Sequence, residues 1–322
     1  MHRLEKPPMP EIFAVAGAGL IGRAWAIVFA RAGNRVRLWD GVPAALEAAL
    51  PLLRSNLDDL QAQGLIASAA EVAGRIETVA TLADALDGAA WMQECIAEKV
   101  EPKAALFEEA DRLAEPEAVL ASSSSAIAAS RFTETLPGRM RCLVAHPVNP
   151  PYLVPLVEIC PSPWTDKAVV AKARQVMEAA GMVPVSVNRE VEGFVLNRLQ
   201  GALLAEAFKL VADGTISADD LDKTVKDGLG LRWSFMGPFE TIDLNAPAGV
   251  ADYCARYGPF YERLQAEQAP VLAWEADLVG RIETERRKQL PADRLGERQV
   301  WRDRRLMALL RHKRQSTDDH GS

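Results

Sequence analysis

Two groups of residues in this 322-residue chain have the types and spacing to do chemistry. The first is a histidine and a glutamate in AHPVNPPYLVPLVEI, His146 and Glu158. The other three histidines, His2, His312 and His320, lie near the termini, so His146 is the imidazole in the body of the sequence. Imidazole changes charge near neutral pH and suits general acid–base work. A carboxylate on one ring nitrogen fixes the tautomer and stabilises the imidazolium. Glu158 can play that part if the Pro-rich stretch turns the chain back on itself. Otherwise it is a strand-end carboxylate in solvent. The second group is GAGLIG, with Gly17, Gly19 and Gly22, followed by Asp40.

Each group needs an element to position it. Ile12 to Ala16 is a short apolar run, expected as a buried strand. Leu20 to Ala32 has helical spacing and stops at Gly33. Val36 to Trp39 is a second strand closing on Asp40, eighteen residues after Gly22. Strand, glycine turn, helix, strand and acid make a dinucleotide-binding context. Gly17 would permit the tight turn. Gly19 would let the backbone approach a pyrophosphate at the positive helix end, and Gly22 would let helix and strand pack closely. Asp40 would accept from the adenosine ribose hydroxyls and repel a 2′-phosphate, which favours NAD over NADP. The competing reading is a glycine-rich turn that binds nothing.

Further strands are expected at Ala90 to Gln93, Val119 to Ser122, Cys142 to Ala145, Val154 to Ile159 and Pro184 to Val187. Helices are expected at 43–63, 102–114 and 165–180. His146 directly follows a strand, so it should emerge at a carboxyl edge of the sheet, where ligands bind in open α/β folds. Beyond about residue 190 only helical patterns appear. The expected fold is α/β: a Rossmann-type domain with a mainly parallel sheet over residues 1–189, and an all-α domain over 190–322. The first ten residues read as a loose leader, and WRDRRLMALLRHKR as a surface helix with a solvated face.

Bulk composition removes several classes. A net charge of −7 argues against nucleic acid as partner. The longest uncharged run, Cys142 to Val157, is too short and too Pro-broken to span a membrane. The N-terminus lacks the apolar region of a secretory signal. The four cysteines show no metal-ligand spacing, so no metal is expected, and they read as reduced thiols of a cytoplasmic protein.

The segments GAGLIGRAWA, QECIAEKVEPK, ASSSSAI, AHPVNPPYLVPLVEI, EVEGFVLNRLQ, GLGLRWSFMGPFET and WRDRRLMAL stand in the order seen in a known family. The chain resembles the 3-hydroxyacyl-CoA dehydrogenase superfamily, and within it the lambda-crystallin branch, whose enzymatic members are L-gulonate 3-dehydrogenases. The resemblance implies an NAD-dependent oxidation of a secondary alcohol and a homodimer. It makes His146 the general base, Glu158 its orienting partner, and Ser125 and Asn197 hydrogen-bond donors to the reacting oxygen. It puts Leu20 and Ile21 in the cofactor turn, Glu98 and Lys103 near the nicotinamide ribose, and Asn149 near the nicotinamide. The run Ser122 to Ser125 leaves the choice of serine open. Asn197 could instead bond another helix, and Glu98 with Lys103 could be an exposed ion pair.

For the substrate, Arg232 before Trp233 could grip a planar carboxylate, which favours a free 3-hydroxy acid over a thioester. It could equally be a surface arginine at a helix end. L-Carnitine and 3-hydroxybutyryl-CoA remain rival substrates, and a non-enzymatic crystallin-like role is a reading of a different class.

Overall fold

Short strands, buried on both faces at the centre of the sheet and more exposed at its edges, assemble with intervening helices into one eight-stranded sheet. The computed structural model describes the backbone of residues 11–320 and the side chains of residues 11–315. The N-terminal stretch expected as a leader lies outside the described residues. The strands are β1 (Ile12–Ala16), β2 (Arg35–Trp39), β3 (Ile76–Thr78), β4 (Ala89–Glu94), β5 (Val119–Ser122), β6 (Cys142–Pro147), β7 (Leu156–Pro161) and β8 (Val183–Ser186). Their order is β3-β2-β1-β4-β5-β6-β7-β8. β1 to β6 run parallel, β7 turns back against β6, and β8 follows β7.

The two-residue period of a strand divides the core. Phe13 and Val15 face one apolar layer, with Trp91, Ala121 and Ala145 of the neighbouring strands. Ala14 and Ala16 face the other, with Met92, Leu120 and Val144. The helices between strands are α1 (Leu20–Arg31), α2 (Pro43–Ala62), α3 (Ala69–Ala73), α4 (Leu82–Leu86), α5 (Val100–Leu113), α6 (Ser130–Thr133) and α7 (Lys167–Ala179). α1 is buried continuously from Ala24 to Ala30 in the first layer. There Phe29 stacks on Trp25 at 5.1 Å and meets Phe13 edge-on at 4.9 Å. Such pairs add about 0.5–1.5 kcal/mol each beyond their buried area. α5 covers the second layer through Leu106, Phe107 and Ala110.

The chain forms two compact units: residues up to Asn197 together with those from Val300 onward, and Arg198–Gln299. The sequence placed the division at 189/190 and gave the whole C-terminus to the helical part. The difference lies in the last helix, α14 (Leu295–His320). From Val300 it belongs to the first unit, where Met307 is buried in the core and Leu306 and Leu310 pack against it. Arg304 reaches Asp59 of α2 at 3.3 Å. The helix read as a surface element therefore straps the first unit.

The second unit holds most of α8 (Leu196–Ala212), then α9 (Ala218–Lys223), α10 (Gly230–Trp233), α11 (Pro238–Leu244), α12 (Val250–Gln268) and α13 (Ala276–Gln289). A π-helical turn, Thr224–Leu229, joins α9 to α10. No strand occurs among its described residues. Ser217 caps α9 by accepting from the Asp220 amide, and Phe208 stacks on Trp274 at 4.1 Å.

Candidate active site

The carboxyl ends of β1, β4, β5 and β6 form one edge, and the candidate residues of the first unit lie at it or on the elements beside it. The Gly17 amide donates to the Trp39 carbonyl, Cys95 to Ala16, and Ser123 to Glu94, so each strand end is pinned to its neighbour.

Gly17 has φ +110°, and a Cβ there would lie 2.7 Å from the Cys95 carbonyl oxygen. At Gly22 a Cβ would fall 1.7 Å from the Gly17 oxygen. Both positions exclude any other residue. Gly19 differs, because a Cβ there would meet nothing within 4 Å. It borders open space at the head of α1, whose N-terminus has no side-chain cap and no acid in its first turn. Leu20 and Ile21 supply the next amides of this positive end. Bare amides facing open space fit the pyrophosphate of a dinucleotide. Asp40 closes the cradle: its carboxylate accepts from the Ala18 amide at 2.7 Å and the Val42 amide at 2.8 Å. Asp40 thus braces the glycine turn from the end of β2.

β6 and β7 are antiparallel with His146 directly opposite Glu158. The Pro-rich stretch does turn the chain back. His146 Nδ1 lies 2.8 Å from Glu158 Oε2, and both residues are buried. The other carboxylate oxygen, Oε1, accepts from the amides of Val195 and Leu196 at 2.8 and 2.9 Å. Burial alone would raise the Glu158 carboxyl. The hydrogen bonds from His146 and from those two amides outweigh it and hold the group below the usual carboxylate range. An ionised Glu158 can only accept, so Nδ1 carries the ring proton. Nε2 is then the nitrogen left to exchange a proton, and it has no partner among the described residues.

The amides that hold Glu158 come from a tight turn that sequence reading missed. Gly193 has φ +74° and Phe194 has φ +50°. A left-handed non-glycine residue costs about 1–3 kcal/mol, and such strain is concentrated at functional sites. Phe194 is fully buried and its ring packs 5.5 Å from that of His146. The same turn therefore fixes both members of the pair.

The structure separates the four serines. Ser122 donates to Glu94 Oε2 at 2.5 Å. Ser123 accepts from Trp25 Nε1 and Gln93 Nε2. Ser124 donates to Glu98 at 2.6 Å. Ser125 is exposed, and its hydroxyl makes no hydrogen bond among the described residues. Its carbonyl accepts from Asn197 Nδ2 at 2.8 Å. Asn197 is thus tied to the serine loop, not to another helix. Asn149 is exposed, two residues past the end of β6.

Lys103 and Glu98 are not an exposed pair. Lys103 is 1% exposed, and its ammonium lies 2.8 and 2.9 Å from the two oxygens of Glu94 and 3.4 Å from Glu98. Glu94, which the sequence reading passed over, is fully buried. Burial pushes its carboxyl up, against the pull of Lys103, the Ser122 hydroxyl and the Ile96 amide. Its signal in the sequence is an acid at the end of an apolar strand, WMQE. The Lys103 ammonium therefore lies behind Glu98. Arg232, on α10 of the helical unit, is exposed and makes no ion pair among the described residues. Those residues contain no His, Cys, Asp and Glu grouping that could hold a metal ion.

A carboxylate-backed imidazole on the same sheet edge as an open dinucleotide cradle defines a nicotinamide-linked dehydrogenase. Comparison narrows the class. Residues 13–191 match the family model described as 3-hydroxyacyl-CoA dehydrogenase, NAD binding domain, and residues 193–286 match 3-hydroxyacyl-CoA dehydrogenase, C-terminal domain. The chain belongs to the 3-hydroxyacyl-CoA dehydrogenase family, whose members are NAD-dependent oxidoreductases acting on CH–OH groups. It is 42% identical over 311 residues to a lambda-crystallin homolog of Bos taurus, covering 95% of this chain and 97% of that one. It is 35% identical over 313 residues to an L-carnitine dehydrogenase of Pseudomonas aeruginosa, covering 97% and 96%. A solved 5-formyl-3-hydroxy-2-methylpyridine 4-carboxylic acid 5-dehydrogenase, described as an NAD+-dependent dismutase, superposes with a TM-score of 0.81 at 27% identity, over 94% of this chain and 98% of that one.

Proposed function

We propose that this chain oxidises the 3-hydroxyl of a small free hydroxy acid with NAD, as an L-gulonate 3-dehydrogenase-like enzyme. The observation that carries the chemistry is the His146–Glu158 pair, with Nδ1 engaged by the carboxylate and Nε2 left to take a proton. NAD, when bound, supplies the hydride acceptor; Gly17 to Gly22 and Asp40 would hold it. His146 accepts the alcohol proton at Nε2 as the hydride departs, and Glu158 stabilises the resulting imidazolium. In the reverse direction the same nitrogen returns the proton. The Ser125 hydroxyl and the second amide hydrogen of Asn197 donate to the nascent carbonyl oxygen. Positioned acid–base catalysis of this kind contributes about 10²- to 10⁴-fold.

The choice of a free hydroxy acid rests on the resemblance to the lambda-crystallin branch, to one homolog of which the chain is 42% identical. Arg232 is our candidate for its carboxylate. Its exposed guanidinium follows the π-helical turn Thr224–Leu229, and such turns recur at functional sites. L-Carnitine is the rival that the 35% identity to an L-carnitine dehydrogenase favours. Initial NADH production from L-gulonate, L-carnitine, 3-hydroxybutyrate and 3-hydroxybutyryl-CoA tests the assignment. A kcat/KM for L-gulonate at least tenfold above the others supports it, and a preference for L-carnitine or the thioester overturns it. Failure of all four to react, with no saturable NADH binding, would favour the crystallin-like reading.

We further propose a homodimer, held by the helical unit. Among its described residues the buried set reduces to Ala218, Thr241 and Leu278, while Phe239, Leu231 and Leu199 are 77%, 65% and 64% exposed. A unit so poor in core needs a second copy to bury its apolar faces. The mass in solution by light scattering checks this. A cytoplasmic location fits the four free cysteines. No helix among the described residues is long and apolar enough to cross a membrane.

A further inference from the structure

We propose that Glu98 is a positioning residue for Ser125, holding the serine loop so that this one hydroxyl is left to face the substrate oxygen. The proposal rests on the reading of Ser125 given above.

The loop after β5 is gathered around a single carboxylate oxygen. Glu98 Oε1 accepts from the Ser124 hydroxyl at 2.6 Å, from the Ser125 amide at 2.9 Å and from the Ala126 amide at 3.0 Å, with the Ile127 amide at 3.4 Å. Consecutive amides converging on one anion form a nest, which fixes the local backbone path. The Ser124 hydroxyl closes the turn by accepting from the Ile127 amide at 2.8 Å. Ser125 is the residue whose amide is held and whose hydroxyl is not. Its carbonyl is held too, by Asn197, so the two proposed donors to the substrate oxygen share one anchored loop.

Glu98 is itself locked. Its second oxygen faces the Lys103 ammonium at 3.4 Å, and Lys103 is fixed by two contacts to the buried Glu94. Burial raises the Glu98 carboxyl. The Ser124 hydroxyl, the Ala126 amide, Lys103 and the Ile127 amide together outweigh it, so the group stays ionised. Both carboxylate oxygens are engaged within the chain. A ribose contact would have to share them, whereas the loop-holding contacts are already made.

A double-mutant cycle separates the roles. Glu98→Gln keeps the shape and one acceptor oxygen but removes the charge that gathers the amides and faces Lys103. Misplacing a reacting group by about 1 Å can cost about 10²-fold. The expected result for Glu98→Gln is therefore a 10- to 100-fold fall in kcat, well beyond any rise in the Kd for NADH read by fluorescence. In the Ser125→Ala background the same change should cost less than threefold more, because the hydroxyl it positions is gone. A raised Kd with unchanged kcat would make Glu98 a cofactor contact and overturn the proposal. Fully additive losses in the double variant would also overturn it. Wild-type kcat in Ser125→Ala alone would remove Ser125 from the chemistry, and with it this role for Glu98.

Discussion

Replacing Glu158 with glutamine tests the geometry with one atom. Glu158 accepts three hydrogen bonds: from His146 Nδ1 at 2.8 Å, and from Val195 and Leu196 at 2.8 and 2.9 Å. The glutamine oxygen can keep the two amides. Its NH₂ must then face Nδ1, and an NH₂ only donates. Nδ1 has to give up its proton, the proton moves to Nε2, and Nε2 ceases to be a base. The enzyme also loses the charge that stabilises the imidazolium. The comparable exchange behind the histidine of a serine-protease triad costs about 10⁴-fold, and the whole acid–base contribution is about 10²- to 10⁴-fold. We expect kcat to fall by about 10²-fold or more. The Kd for NADH should hold within about twofold, because the glycine cradle is untouched. Loss of a carboxylate at the head of α8 removes about 0.3–2 kcal/mol, which lowers Tm by a few degrees. The assay is initial-rate NADH absorbance, with fluorescence titration and a thermal melt on the same preparation. A Glu158→Gln enzyme retaining more than a tenth of wild-type kcat would refute the tautomer argument.

Other expectations follow from the same contacts. Gly19→Ala should leave the fold intact, since its Cβ meets nothing within 4 Å, but should weaken NADH binding at least tenfold by occupying the cradle; equal binding by fluorescence would place the pyrophosphate elsewhere. Asp40→Ala should relax the NAD preference and weaken both dinucleotides, because Asp40 also holds the Ala18 amide; an unchanged NAD/NADP ratio of kcat/KM would remove it from the ribose site. Glu158 and Glu98 both sit below their ordinary carboxylate values when folded. Their stabilising contribution is therefore present above the unfolded value near about 4.3 and lost as pH falls through the lower folded values. Tm measured from pH 7 down to 3 should drop in that acid window, and Glu158→Gln should flatten the drop.

Much of the site was legible because it lies on regular elements. The strand and the turn-back to Glu158 follow from apolar runs and prolines; the strand runs on past the expected end at Ala145 to Pro147, so His146 lies within it, and the antiparallel register brings it level with Glu158. The glycine string was legible from sterics, and Gly17 and Gly22 are the positions where a Cβ collides. What stayed hidden depends on tertiary packing. Lys103 could pass in sequence for half of an exposed pair with Glu98, yet the buried Glu94 at the end of the preceding strand draws it inside. Removing one partner of such a pair costs about 3–5 kcal/mol, so it is structural as much as functional. Four adjacent serines look alike in sequence. They differ only through partners on other elements: Glu94, Gln93 with Trp25, and Glu98. The strand β3 and helices α3, α4 and α6 are too short for periodicity to reveal. The strapping role of α14 rests on Met307, whose apolar neighbours in the fold are remote in sequence.

The central claim is that His146 moves the proton in an NAD-linked oxidation and does not build the cofactor site. His146→Gln measured in both assays decides it. The account predicts a kcat lowered by at least 10²-fold with the Kd for NADH within about twofold of wild type. Retention of kcat, or loss of NADH binding in parallel with activity, would contradict it.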